Sequence, residues 1–179
     1  MKPEKKENLL YNLQNKQTVL ISACLLGEKC RYDGKDSLNK WIFKYTDIIK
    51  FIPFCPEKMG GLPTPRPAAN IYGGDGKDVL KGKAKVINIY GFDVTKNFKR
   101  GAYMAIELAN KHNIKIALVK DKSPSCGLKT PYCETTYDYG IGVTAALLNT
   151  YGIHLIEIGQ NDILFYTGNT KELFICLKH

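Results

Sequence analysis

Thr18-Val19-Leu20-Ile21-Ser22-Ala23-Cys24-Leu25-Leu26-Gly27 decides how this chain folds. Val19-Leu20-Ile21 carries no polar residue on either face of a strand, so it reads as a strand buried on both sides. The strand covers about residues 17–23 and runs directly into a thiol, Cys24, and a glycine turn. This is the longest apolar stretch of the 179-residue chain, and Ser22 already interrupts it. A membrane helix needs about 18 such residues, so a membrane span is not expected. With 44% hydrophobic and 24% charged residues the chain is long enough for one ordinary core.

Working outward, strands and helices alternate. Leu38, Trp41, Ile42, Tyr45, Ile48 and Ile49 recur at spacings of three and four, which predicts a helix over 36–50. A short strand follows at 51–54. Residues 55–83 hold four prolines and six glycines and read as a long loop, with Gly73-Gly74-Asp75-Gly76 as a hairpin turn rather than a phosphate cradle. A strand is expected at 84–90. A helix capped by Asp93 or Thr95 should then run to about 112, buried along Phe98, Ala102, Ala105, Leu108 and Ala109. A third core strand at 114–119, a second loop over 120–139, a helix at 142–151 and a last core strand at 153–158 complete the pattern. This predicts an α/β fold: a three-layer single domain with a mostly parallel sheet, Rossmann-like or flavodoxin-like, over 17–158. Residues 1–16 read as an N-terminal arm. Residues 159–179 read as a tail, with an edge strand at 173–177.

Lys and Arg total 26 against 17 Asp and Glu, a net +9. That excess attracts anions, but the basic residues are scattered and no nucleic-acid motif interleaves them with aromatics. A solvated surface or a small phosphate-bearing ligand fits the charge as well as nucleic acid does, so nucleic acid is the less favoured partner. Met1-Lys2-Pro3-Glu4-Lys5-Lys6-Glu7 has no apolar region after its charges, so no secretory signal and a cytoplasmic, reducing location are expected. The sequence assigns no oligomeric state.

Cys24, Cys30, Cys55, Cys126, Cys133 and Cys176 include no Cys-x-x-Cys pair. Any thiol site must therefore be assembled by folding. Cys24 and Cys55 each follow an expected core strand, and Cys126 lies in the loop after a third. Ligands of an open parallel sheet bind beyond the carboxyl ends of its strands. Three thiols 31 and 71 residues apart are thus placed to meet at one edge; the alternative is three separate buried cysteines. Zinc would call for a fourth ligand or a water, and neither His112, His154 nor His179 is well placed. Thiolates hold iron–sulfur clusters, and three would leave one iron open.

Four ordered motifs carry a family resemblance. They are Ser22-Ala23-Cys24-Leu25-Leu26-Gly27 with Cys30-Arg31-Tyr32-Asp33-Gly34; Cys55-Pro56-Glu57 with Gly60-Gly61-Leu62-Pro63-Thr64-Pro65-Arg66; Ser123-Pro124-Ser125-Cys126-Gly127; and Gly142-Val143-Thr144-Ala145-Ala146-Leu147-Leu148. Together with Gly91-Phe92-Asp93-Val94-Thr95 they resemble the thiouracil desulfurases over about residues 18–158. The resemblance implies one [4Fe-4S] cluster on Cys24, Cys55 and Cys126 with an open iron, and removal of sulfur from a thiolated pyrimidine to give the oxo base and sulfide without net redox change. Two stretches depart from the family pattern: Pro67-Ala68-Ala69-Asn70 and Tyr132-Cys133-Glu134. Both loops are expected to border the site.

Such a reaction needs a base for water, and Glu57, two residues from Cys55, is the first candidate. Ser123 and Ser125 are candidates for orienting substrate or water, or for capping their own turn. Arg66, Lys120 and Lys122 suit a phosphate or a ring oxygen. Tyr32 or Tyr72 suits stacking on a pyrimidine. Asp33 reads as a substrate contact or a turn residue. Cys30 and Cys133 read as spectator thiols or as a fourth ligand that would close the cluster, and Cys176 as core. The competing function is a metal- or cluster-containing module that binds thiolated bases or RNA without turnover.

Overall fold

Four parallel strands form the centre of the molecule, with residues 49–54, 17–22, 116–120 and 154–158 side by side in that order. A computed structural model describes residues 17–136, 139–167 and 172–176. The strands are β1 (Gln17–Ser22), β2 (Ile49–Phe54), β5 (Ile116–Lys120) and β6 (His154–Ile158). Val19 lies opposite Phe51, Leu20 opposite Ala117, and Leu118 opposite Ile156. Successive side chains of a strand point to opposite faces, and the core divides accordingly. Leu20, Ala117 and Val119 face one cluster, with Phe98, Ala102, Ala105 and Leu148. Val19, Ile21, Ile116 and Leu118 face another, with Leu25 and Ile42.

The first face is covered by α3 (Thr95–Lys111) and α4 (Val143–Thr150). On α3, Phe98, Ala102, Ala105 and Ala109 are buried, as their spacing predicts. Asp93 accepts the Thr95 backbone N–H at the helix start. Among the described residues the second face carries no α-helix. The expected helix over 36–50 is replaced by a 3-10 turn, Ile42–Tyr45, with Ile49 already in β2. Asn39 explains the difference. It is fully buried, and its amide donates to the carbonyls of Gly159 and Asp162, each at 2.9 Å. Its Oδ1 accepts from Trp41 N and Asp36 Oδ1 accepts from Leu38 N. These local bonds compete with the helical ladder.

Residues 55–83 are more ordered than a loop. They contain α1 (Pro56–Met59), β3 (Ala69–Tyr72) and α2 (Gly76–Leu80). Gly73-Gly74-Asp75-Gly76 is a helix start rather than a hairpin turn: Asp75 accepts the backbone N–H groups of Lys77 and Asp78, and Asp78 accepts from Asp75 N. That is a capping box built from two aspartates. The strand expected at 84–90 is β4 (Lys85–Asn88), which pairs antiparallel with β3 outside the main sheet. The tail holds β7 (Ile163–Thr167) and β8 (Glu172–Cys176), paired with each other in a two-stranded sheet of their own. The arm over 1–16 lies outside the described residues, as does the side chain of Cys176. Among the described residues no helix is long and apolar enough to cross a membrane.

Candidate active site

The neighbouring strands β2, β1 and β5 each end at a cysteine-bearing turn. Cys55 immediately follows β2 and precedes α1, whose first residue is Pro56. The proline has no N–H to lose at a helix start, and it leaves Cys55 extended. Cys24 sits in a 3-10 turn, Ala23–Leu26, directly after β1. Cys126 lies in the turn after β5, where Ser123 Oγ accepts the backbone N–H groups of Ser125 and Cys126 at 3.2 and 3.1 Å. All three thiols line one cavity of about 170 Å³ at the carboxyl edge of the sheet. A buried water needs only about 10–15 Å³ on this measure, so the space suits a group far larger than one ion.

A fourth thiol, Cys30, lines the same cavity and is 2% exposed. Its thiol lies within electrostatic reach of the Cys24 and Cys55 thiols. Its carbonyl accepts the Cys55 thiol at 3.7 Å. Contact with Cys24 and burial push the Cys30 thiol up to about 12. Contact with Cys30, then burial, raises Cys55 well beyond the ordinary thiol range. Burial pushes Cys126 up to about 12, against the lowering contact of the Ser22 hydroxyl. Without a cation to compensate, these sulfurs keep their protons, and a metal group must displace them to bind.

Among the described residues no three His, Cys, Asp or Glu side chains converge tightly enough to hold a single metal ion. His112 ends α3 and His154 begins β6; neither lines the cavity. His179 lies outside the described residues. Sulfur donors without imidazole, spread around a space larger than an ion, fit an iron–sulfur cluster better than zinc.

Glu57 and Arg66 form the polar wall. Arg66 Nε donates to Glu57 Oε2 at 2.6 Å, and their side chains are 16% and 4% exposed for Glu57 and Arg66 respectively. The guanidinium is therefore engaged with protein groups, not presented as a free phosphate anchor. Lys120 also lines the cavity, with its ammonium paired to Asp121. Lys122 stands exposed at the rim, with φ at +48°. Tyr32 lines the cavity; Tyr72 does not.

Ser123 lines the cavity too. Its two accepted backbone bonds occupy both lone pairs, so the capacity left to it is the O–H donor. Ser125 is placed differently. It is fully buried, its hydroxyl shares a 2.9 Å hydrogen bond with Thr144, and it is absent from the cavity wall. Asp33 is likewise outside the wall; it accepts from Lys35 N and pairs with Arg31, as a turn residue does. Cys133 is buried beside β3, its thiol donating to the Ile141 carbonyl at 3.8 Å. Asn70 and Tyr132 line the cavity, so both departing loops border it. Sequence reasoning missed Ser22 as a site residue. Its position as the one polar side chain at the end of an apolar strand was the available signal.

Comparison with known proteins follows the same residues. The family model described as 2-thiouracil desulfurase matches residues 19–159. The chain is 41% identical over 150 residues to the uncharacterized protein YbbK of Bacillus subtilis (strain 168), across 82% of this chain and 99% of that protein. Among solved structures, a [4Fe-4S]-dependent thiouracil desulfidase, TudS, is similar with a TM-score of 0.67 and 37% identity, over 79% of this chain and 91% of that one.

Proposed function

This chain belongs to the 2-thiouracil desulfurase family, and from that premise we propose that it removes sulfur from a thiolated pyrimidine, using a [4Fe-4S] cluster held by Cys24, Cys55 and Cys126. The observation that carries the reading is the delivery of those three thiols, by three adjacent strands, to one cavity that also holds the Glu57 carboxylate and the Ser123 hydroxyl.

Held by Cys24, Cys55 and Cys126, such a cluster would supply Lewis-acid chemistry toward a thiocarbonyl. The remaining work falls to the chain. Ser123, with only its donor free, gives a hydrogen bond to a ring oxygen or nitrogen as charge develops there. Glu57 keeps acceptor sites beyond the one given to Arg66, and takes the proton from a water aimed at the ring carbon. Tyr32 and Tyr132 flank the entrance and offer apolar faces to a pyrimidine. Lys122 gives the rim a positive charge for an anionic ring or a phosphate, while the Lys120 ammonium is shared with Asp121. Overall, one water enters, carbon exchanges sulfur for oxygen, and sulfide leaves with no net oxidation.

The test is anaerobic reconstitution, with iron and sulfide counted per chain, followed by incubation with 2-thiouracil and assay of released sulfide and uracil. Loading with stoichiometric sulfide release is expected. Tight binding of 2-thiouracil without release would make the protein a binding module, and failure to take up iron would overturn the reading.

A further inference from the structure

Arg66 is 8% exposed although it carries a permanent charge. Its guanidinium spans two loops. Nε holds Glu57, and Nη1 donates to the Cys30 carbonyl at 3.0 Å, with Pro63 O and Thr64 Oγ1 each at 3.3 Å. The Cys30 carbonyl thus receives two described donors, the Cys55 thiol and Arg66. A thiolate that ligates metal has no proton to donate, so of those two bonds the Arg66 one survives loading. Glu57 and Arg66 also have a second, mainly apolar cavity behind them, lined by Leu62, Pro67, Val94 and Phe98. The Glu57 side chain is only 16% exposed, and a charge so largely buried depends on its partner.

Resting on the desulfurase reading, we infer that Arg66 is a positioning residue: its two-point fork fixes the Glu57 carboxylate at the cavity wall and ties it to the Cys30 turn. A lysine at this place keeps the charge but loses the fork. A misplaced general base forfeits about 10²-fold or more in rate.

The test compares Arg66→Gln, Arg66→Lys, Glu57→Gln and the double variant R66Q/E57Q. It reads kcat and KM for 2-thiouracil, iron and absorbance per chain, and the crystal structure of the metal-free R66Q protein. For R66Q the expectation is unchanged iron, kcat lower by about 10²-fold, KM within a few-fold, and Glu57 turned away from its present place. The double variant should be no slower than E57Q, because Arg66 acts through Glu57. If R66Q loses iron, R66K is read instead, with the same loss in kcat expected. Undiminished kcat, additive losses, loss of iron in both Arg66 variants, or an unmoved Glu57 would overturn the inference. A wild-type protein that releases no sulfide would instead defeat the desulfurase reading, and the R66Q structure would still decide what holds Glu57.

Discussion

A methyl group on Gly101 would lie 1.9 Å from the carbonyl oxygen of Pro56. Both sides of that contact are backbone, so neither can yield cheaply. Pro56 stands between Cys55 and Glu57, and the middle of α3 therefore sets how closely the thiol and the carboxylate dock. In an isolated helix alanine is favoured over glycine by about 1 kcal/mol. Here Gly101→Ala is expected to destabilise by about 1–3 kcal/mol, the usual cost of overpacking. Thermal unfolding and iron uptake per chain check this. A higher Tm with full iron uptake would refute the claim that this glycine admits the site.

Replacing Cys24, Cys55 or Cys126 by serine is expected to abolish cluster loading. Cys30→Ser removes a thiol that shares the cavity with all three, and should weaken retention by about 10- to 100-fold rather than prevent it. Anaerobic competition with a chelator measures both effects. Equal loss in all four variants would make Cys30 a ligand and leave no open iron for chemistry.

The two serines of the Ser123-Pro124-Ser125 turn should part company. Ser125→Ala strands the buried Thr144 hydroxyl, so stability falls by about 1–3 kcal/mol while kcat of the folded protein is kept. Ser123→Ala removes the donor at the cavity wall and should lower kcat by about 10²-fold or more. Unfolding curves and sulfide-release rates on both variants separate the roles; a kcat loss confined to Ser125→Ala would reverse them.

Cys133 gives the alkaline prediction. Burial, reinforced by the negative charge of Asp75, pushes its thiol from 9.0 up to about 12. Folded protein then holds this proton more tightly than unfolded chain does. The stabilisation is complete below about pH 9 and is lost as pH rises toward about 12. Urea unfolding at about pH 8 and about pH 10.5 should show wild type losing more stability than Cys133→Ala over that span, up to roughly 1.4 kcal/mol per pH unit. Parallel losses would show that Cys133 titrates normally.

What could be read from the residues alone follows where their partners are. Val19-Leu20-Ile21 and Ile116-Ala117-Leu118-Val119 are buried on both faces, so their apolar runs announce core strands without further context. Cys24 and Cys126 are placed by those strands and Cys55 by the short strand at 51–54, because a residue just past a parallel strand lies at the ligand-binding edge. Residues 36–50 misled because the decisive partners of Asn39 are carbonyls at 159 and 162, over a hundred positions away. The helical spacing of Leu38, Trp41 and Ile42 carries no trace of them. The same holds at Arg66, which the sequence offers as a contact for a phosphate or a ring oxygen and folding buries against Glu57. Asp75 was legible in principle, but an Asp-x-x-Asp capping box after two glycines looks like a turn until the following helix is seen.

Because Cys126 sits on the third strand end, a nascent chain carrying only Cys24 and Cys55 offers an unfinished mouth. On the proposed ligation, cluster insertion would wait for tertiary closure, and iron delivery would select correctly paired chains. Once inserted, the inorganic core would lash β2, β1 and β5 together like a rivet. Its removal should loosen the carboxyl rim first, and leave α3 and the opposite end of the sheet standing.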